Sequence, residues 1–475
     1  MKNLFSDTIV APATVPGTGA ISIIRVSGPD ALSISDAVVQ LHSGKITESS
    51  GYTIHYGSVY SNGSLLDDVL VSVFRAPHSY TGEDSVEISA HASHYIVSEI
   101  IRLLIEAGCR MAEPGEFTKR AYINGKMDLA QAEAVADVIS ANTSASHKVA
   151  MNQLKGGYSK ELEALRAELL EMASLLELEL DFSEEDVEFA DRDKLLSLLK
   201  TTLLHVEKLA SSFRQGNMIK NGIPVAIVGA VNAGKSSLLN ALLGEDRAIV
   251  SSVEGTTRDT IEEILQIDGL SFRFIDTAGI RESTDQIERI GIERTFNKID
   301  SAEVVLGVIE GIKNPTDLKA DLSLILEHVK APAKKVIILL NKADLISQDD
   351  INNFVTLANS IVTSVDIKYI VIPVSAKTGE GLDQLKKVLS EGQKELLTAE
   401  SGTLVTNLRH YQALTASAAA LRRTAAALEG GIPTDLVAED LRVAIASVNQ
   451  ILGRELGLDS DTVLGNIFAH HCIGK

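Results

Sequence analysis

Residues 223–238 read Ile-Pro-Val-Ala-Ile-Val-Gly-Ala-Val-Asn-Ala-Gly-Lys-Ser-Ser-Leu, and their order decides the fold around them. The first six are apolar and rich in β-branched side chains, the pattern of a buried strand. Gly229-x4-Gly234-Lys235-Ser236 follows, then Leu238, Leu239, Ala241, Leu242 and Leu243 at helical spacing. A glycine-lysine pattern alone arises by chance. A strand before it and a helix after it make it a phosphate cradle. The glycines at 229 and 234 let backbone N–H groups curl round an anion with no Cβ in the way. The helix N-terminus adds partial positive charge. Lys235 can reach β- and γ-phosphates, and Ser236 can offer its hydroxyl to Mg²⁺.

The surrounding segment, residues 217–385, alternates apolar runs and helical patterns in the rhythm of a doubly wound α/β sheet. Runs at 261–267 and 270–275 flank Asp268-Gly269, a hairpin signal that implies one antiparallel edge. Further strands are expected at 303–309, 335–340 and 369–374. Four motifs follow the glycine loop in order. Thr256-Thr257-Arg-Asp259 supplies a threonine hydroxyl that can complete a Mg²⁺ shell. Asp276-Thr277-Ala278-Gly279 ends a strand, as a Mg²⁺-orienting aspartate and a γ-phosphate-sensing glycine require. Asn341-Lys342-Ala-Asp344 ends another. A carboxylate there accepts both the ring N–H and the amino N–H of guanine. Adenine lacks that donor pair, so Asp344 carries the choice of GTP over ATP. Ser375-Ala376-Lys377 ends the last strand, where a backbone N–H meets the guanine carbonyl. Each motif alone is weak; the ordered set, at the carboxyl ends of strands, reads as a GTPase. It resembles the translation-factor-related small GTPases.

Ile280 stands where Ras-like proteins carry a water-orienting glutamine, so hydrolysis needs another group. Glu282, Asp285 and Glu288 are the nearby carboxylates, and no arginine finger is apparent. Asn232, inside the glycine loop, has two readings. Its oxygen can seat a monovalent cation beside the phosphates, or its side chain can simply hold the loop turn.

Length bounds the rest. At 475 residues, two to four domains are expected. Hydrophobic residues make up 45% and charged residues 23%, a composition with ample core for a soluble protein. A net charge of −20 leaves no global footprint for nucleic acid; no DNA partner is expected, and RNA would need a local basic patch or a basic partner. Cys109 and Cys472 are the only thiols, which make neither a disulfide framework nor a four-ligand zinc site and fit a reducing cytoplasm. No signal sequence and no transmembrane run is found, so no membrane partner is expected.

Residues 1–119 read as an α/β domain, with strands at 20–26, 52–60, 68–74 and 85–89 and a helix at 95–107. Thr81-Gly-Glu-Asp84 and Pro114-Gly-Glu-Phe117 read there as polar turns and helix caps. Asp128 and Gln131 form a capping box that opens a helical stretch running to about Arg214. Between Glu161 and Asp193 thirteen acidic residues face two basic ones, a solvated face and not a metal site. Residues 388–475 are helical again, broken at Gly430-Gly431-Ile-Pro433. The expected division is 1–119, a helical domain in two parts (120–215 and 387–475), and a nucleotide domain, 216–386, inserted between those parts.

The end of the chain, His471-Cys472-Ile473-Gly474-Lys475, narrows the class. With a GTPase inserted in a helical domain and Arg120-Ala-x2-Asn124-Gly-Lys-x-Asp128-Leu-Ala-Gln-Ala-Glu-Ala134, the whole chain resembles the MnmE (TrmE) tRNA-modification GTPases. The resemblance implies a homodimer formed through N-terminal domains that bind a one-carbon tetrahydrofolate, in its 5-formyl or methylene form. Folate contacts map to Arg25, Glu87, Lys126 and Lys475. A carboxylate suits pterin N–H donors, and a cation suits the folate glutamate tail. From the sequence alone Arg25 reads as an edge-strand charge.

The resemblance further implies K⁺ at the Asn232 side chain and at backbone oxygens around Ser251, Val253 and Thr256, and Mg²⁺ at Ser236 and Thr257. Ala233, Ser237, Ser252, Glu254 and Gly255 complete the nucleotide set. Glu288 matches the family's water-activating glutamate, and Cys472 is either a nucleophile or a small packed thiol. The implied partners are tRNA and a flavoprotein, MnmG (GidA), whose FAD lies on that partner and not on this chain. Together they install a carboxymethylaminomethyl or aminomethyl group at C5 of the wobble uridine. This chain has His91-Ala92-Ser93 where relatives commonly have His-Gly-Gly, and Val231 where proline is usual. The alternatives are a ribosome-assembly switch of the Era or Der type, and a folate-binding scaffold with a vestigial GTPase. The Cys-Ile-Gly-Lys end and the intact motif set argue against them.

Overall fold

The computed structural model describes residues 6–181, 192–230, 232–245, 263–275, 299, 301–329, 334–362, 369–393, 403–430, 432–454 and 474. They fall into two compact units, one built from 1–140, 150–208 and 412–475, the other from 141–149 and 209–411.

The first unit carries a seven-stranded sheet. Its strands are β1 (Ile9–Pro12), β2 (Ser22–Ser27), β3 (Val39–Leu41), β4 (Thr53–Ser61), β5 (Ser64–Phe74), β6 (Ser85–Ala90) and β7 (Arg110–Met111). The spatial order is β3-β4-β5-β6-β2-β1-β7, antiparallel except for β1 against β7. Asn62 and Gly63, with φ of 50° and 77°, make the tight β4–β5 turn; positive φ at both central positions matches the right-handed twist of the strands. Val71, Val86 and Ile88 face inward against Ile34 of α1 (Ala31–Val38) and Ile100 and Leu104 of α2 (His94–Glu106). That alternation of buried and exposed residues is what one-sided burial of a sheet demands.

Helices follow: α3 (Glu116–Ile123), α4 (Leu129–Ser140), α5 (Ser144–Leu154), α6 (Gly157–Asp181) and α7 (Arg192–Ser211). The capping box is present at α4: Asp128 N–H donates to Gln131 Oε1 (3.0 Å), and Gln131 N–H donates to Asp128 Oδ1 (2.9 Å).

In the second unit α8 (Phe213–Asn221) carries the helical stretch beyond Arg214. Gly216 weakens the helical signal in the sequence, but it is a packing residue: a Cβ there would meet the Val405 carbonyl at 2.2 Å. The sheet comprises β8 (Ile223–Val228), β9 (Glu263–Ile267), β10 (Leu270–Phe274), β11 (Val304–Glu310), β12 (Lys335–Asn341) and β13 (Tyr369–Val374). Its order is β13-β12-β11-β8-β10-β9, parallel throughout except for β9 at the edge. Helices α9 (Lys235–Glu245), α10 (Pro315–His328), α11 (Gln348–Val362) and α12 (Leu382–Glu391) belong to this unit. Two apolar cores, one around Leu238, Phe272 and Leu385 and one around Leu322, Ile338 and Phe354, cover the sheet. All six residues of β8 are buried, as a strand covered on both faces should be. Since β8 lies between β10 and β11, its carboxyl end is a topological switch point where ligands bind. Helices α13 (Leu408–Glu429) and α14 (Thr434–Leu452) follow.

Candidate functional site

The glycine loop sits at the end of β8 and runs into α9, as its sequence requires. Asn232 takes φ 64°, a left-handed conformation that asparagine tolerates better than most residues. Gly234 has φ +94°, and a Cβ on it would lie 2.1 Å from Asn341 Nδ2. The glycine is therefore demanded twice, by its backbone angle and by the close approach of Asn341. Lys235 Nζ donates to the Gly229 and Ala230 carbonyls, each at 2.8 Å. Burial pushes its pKa below the ordinary lysine value, an effect that a bound phosphate would offset. Ser236 and Ser237 stand in the first turn of α9.

Asn341 joins the separate motifs. Its Nδ2 donates to the Ala233 carbonyl (2.8 Å), and its Oδ1 accepts from Ala376 N–H (3.3 Å). It is 3% exposed, so these bonds satisfy a buried amide. Lys342 takes φ 65° and pairs with Glu310 at the end of β11. Asp344, in the short 3-10 turn Ala343–Leu345, is exposed. Ser375 is buried; its N–H donates to the Glu380 carbonyl (2.9 Å), which folds back the loop carrying Ala376 and Lys377. Ser251, Ser252, Val253, Glu254, Gly255, Thr256, Thr257, Asp276, Thr277, Ala278, Gly279, Ile280, Glu288, Cys472 and Lys475 lie outside the described residues.

A second constellation lies on the N-terminal sheet. Arg25 and Glu87 are direct cross-strand partners on β2 and β6, with Arg25 Nε and Nη2 both 2.9 Å from Glu87 Oε1. The expectation of an edge-strand charge is overturned: β2 lies between β1 and β6, and Arg25 is held on an interior strand by its partner. The guanidinium lies 5.4 Å from the Tyr80 ring centre and 5.6 Å from that of Phe117, within cation–π range. Its Nη1 donates to the Gly474 carbonyl at 3.3 Å. Gly474 has φ +94°, and a Cβ there would come within 2.1 Å of the Pro12 carbonyl. Lys126 Nζ donates to the Pro77 carbonyl at 2.9 Å. Cys109 is buried, and burial pushes its thiol up to about 12, so it is inert packing.

The turns at 81–84 and 114–117 are more than caps. Glu83 and Glu116 are 5% and 6% exposed and converge on Arg120, which is fully buried. Burial raises the Glu83 pKa against the opposing pull of Arg120 and Ser27. Burial also works against ionisation of Glu116, but hydrogen bonds from Arg110, Glu113 N–H and Arg120 outweigh it and hold that carboxyl below its ordinary value. Sequence reasoning missed Tyr80, Glu83, Glu116, Phe117 and Arg120 as parts of a site. The one available signal was an acid in each of two glycine turns, which by itself means a turn.

Family comparisons extend this geometry. The model of the MnmE helical domain matches residues 129–472, and that of the GTP-binding protein TrmE N-terminus matches residues 8–126. A tRNA modification GTPase MnmE from Bacteroides fragilis is 48% identical over 473 residues, 99% of each chain. One from Flavobacterium johnsoniae is 48% identical over 475 residues, again 99% of each.

The chain belongs to the MnmE family of tRNA modification GTPases. It is a GTP hydrolase acting in tRNA modification, and the full-length identity displaces the ribosome-assembly alternative. Solved structures match parts of it. A GTP-binding protein from Sulfolobus solfataricus in complex with GDP covers 50% of this chain and 68% of its own, at 20% identity and a TM-score of 0.29. Era in complex with MgGDPNP and a 16S ribosomal RNA segment covers 42% and 66%, at 29% identity and a TM-score of 0.27. No described helix is long and apolar enough to cross a membrane.

Proposed function

We propose that this chain is a K⁺-activated, dimerisation-dependent GTPase. With a flavin-dependent MnmG (GidA) partner, it adds a carboxymethylaminomethyl or aminomethyl group at C5 of the wobble uridine, position 34, of tRNA in the cytoplasm. A one-carbon tetrahydrofolate supplies the carbon. The observation that carries this reading is the Arg25–Glu87 pair, its guanidinium 5.4 and 5.6 Å from the Tyr80 and Phe117 ring centres, in a unit separate from the nucleotide site. A GTPase needs no such pocket for its own reaction. A planar heterocycle with an acidic tail suits the accessible Tyr80 ring beside a guanidinium.

The domain division proposed is 1–119 for folate, 120–215 with 387–475 as the helical domain, and 216–386 for GTP. Lys235 and the loop amides would bind the phosphates, Asp344 the guanine, and Ser236 with Thr257 the Mg²⁺ that neutralises phosphate charge. Asn232, with Ser251, Val253 and Thr256, would seat K⁺, and Glu288 would hold the attacking water. Lys126 and Lys475 would join Arg25 and Glu87 around the folate, with Cys472 near the one-carbon unit.

The homodimer reading draws support from one face of the β4–β5 hairpin. Ile54, Tyr56, Tyr60, Leu65 and Leu70 are 46–69% exposed there, with Tyr56 paired opposite Leu70 and Tyr60 opposite Leu65. These residues flank the Ser58–Asp68 pair on that face, and an exposed apolar group of this kind marks an interaction surface. Deleting the gene and measuring tRNA wobble-uridine modification by mass spectrometry tests the function. Loss of the C5 substituent, restored by the intact gene, is expected; an unchanged modification profile would overturn it.

A further inference from the structure

Two polar turns and one helix that the GTPase does not use converge on a single buried cation. Arg120 Nη1 donates to the Asp7 carbonyl at 2.9 Å and to the two Glu83 oxygens at 3.3 and 3.4 Å. Its Nη2 donates to Asp7 Oδ1 (2.9 Å) and Glu116 Oε1 (3.0 Å), and its Nε to Glu116 Oε1 (3.3 Å). Arg110 grips the other side, reaching Glu116 Oε1 at 2.6 Å and Asp7 Oδ2 at 2.7 Å. Glu83 also accepts from Ser27 Oγ (2.9 Å), and Ser27 Oγ lies 2.7 Å from Thr81 Oγ1.

Arg120 has no exposed surface, so it touches no ligand. What it holds lies next in the chain to both rings beside Arg25. Ser27 is two residues along β2 from Arg25, Thr81 follows Tyr80, and Glu116 precedes Phe117. Tyr80 Oη and Thr118 Oγ1, 2.8 Å apart, tie the two aromatic walls together. Burying the Glu83 and Glu116 carboxylates with the Arg120 guanidinium costs desolvation, and apolar packing of the same volume is often as stable. What a saturated polar network provides is one defined geometry.

We propose that Arg120, with Glu83 and Glu116, is a positioning cluster that sets Tyr80 and Phe117 against the Arg25 guanidinium and so fixes the geometry in which that guanidinium receives an acidic folate. The proposal rests on the folate reading above and adds to it the residues that shape the pocket without touching its occupant.

Arg120→Met strands the buried Glu83 and Glu116 carboxylates and is expected to unfold the unit, so the test uses gentler breaks in the same chain of contacts. In full-length protein, Thr118→Val cuts only the tie between the walls, and Glu83→Gln removes the charge while keeping the shape. Affinity for 5-formyltetrahydrofolate, measured by titration calorimetry, is expected to fall about tenfold in each, the scale of one misplaced charge-assisted contact. The melting temperature of Thr118→Val and the GTP turnover of both variants should match the wild type. Combined with Arg25→Met, Thr118→Val should add no further loss, because the wall acts only through that guanidinium. A purely structural role would not give that non-additivity. Wild-type affinity in both variants, or losses that add fully to Arg25→Met, would overturn the proposal and leave the folate reading intact. A wild-type protein that binds no 5-formyltetrahydrofolate overturns the folate reading, and this proposal with it.

Discussion

The nucleotide sheet presents its ligand groups at the carboxyl ends of parallel strands, largely as backbone N–H and glycine clearance. The N-terminal sheet presents Arg25 and Glu87 from the middle of two antiparallel strands, as side chains held by other side chains. The first arrangement is local: each motif is a few consecutive residues, and the parallel sheet brings the ends together automatically. The second is assembled from Asp7, Ser27, Tyr80, Glu83, Glu116 and Arg120, as much as 113 residues apart in the chain. A site of backbone should fail when a side chain is added. A site of side chains should fail when a charge or a tie is removed.

Gly234→Ala tests the backbone half and carries the largest expected effect. The new methyl would meet Asn341 Nδ2 at 2.1 Å, at a φ of +94° that alanine resists. Asn341 would lose its grip on Ala233 or on Ala376, and the phosphate loop would shift from the guanine loops. GTP kcat/KM should fall by about 10²-fold or more, the scale of a lost preorganised donor. Binding of 5-formyltetrahydrofolate should be unchanged. Steady-state kinetics beside calorimetry on one preparation checks both, and turnover within twofold of wild type would break the contrast.

That contrast also explains what the sequence showed. The alternation of strands and helices, the Asp268-Gly269 hairpin and the single antiparallel edge were all legible, because a parallel sheet buried on both faces writes continuous apolar runs. The capping box at Asp128 was legible because it is a contact across three residues. The cluster around Arg120 was not, since an Asp, a Glu in each of two turns and an Arg on a helix carry no common spacing. Arg25 was misplaced on an edge because strand order in an antiparallel sheet is set by tertiary pairing, which one strand's composition does not reveal. The helix end near Arg214 was misjudged for a similar reason: Gly216 breaks helical propensity locally but serves a contact with residue 405.

Asn232 sharpens the comparison, as a glycine-loop residue whose backbone angle and side chain would each carry a separate role. If its oxygen seats K⁺, GTP turnover should be several-fold faster in KCl than in NaCl at equal ionic strength, with folate affinity the same in both salts. Equal rates would assign Asn232 to the loop turn alone, where its φ of 64° already gives it a role.

The smallest expected effect concerns acid. Glu116 and Asp7 are held below their ordinary values of 4.5 and 3.8 in the folded chain. For both, burial opposes ionisation but is outweighed, at Glu116 by Arg110, the Glu113 N–H and Arg120, and at Asp7 by Arg110 and Arg120. A lowered folded pKa contributes stability above the unfolded value, and that contribution is lost as pH falls through the folded value. Glu83, raised by burial, works the other way: its contribution is present at low pH and disappears as pH rises through its folded pKa. From about pH 5 downward the N-terminal unit should therefore lose the Glu116 and Asp7 contributions while regaining that of Glu83, leaving a shallow net fall in melting temperature. Glu116→Gln should flatten the fall and Glu83→Gln should steepen it, read by differential scanning calorimetry across that range. Parallel pH profiles in the two variants would mean that burial at Glu83 and hydrogen bonding at Glu116 do not shift the two carboxyls in opposite directions. The nucleotide site supplies the control: Gly234→Ala changes no titrating group, so its profile should run parallel to the wild type.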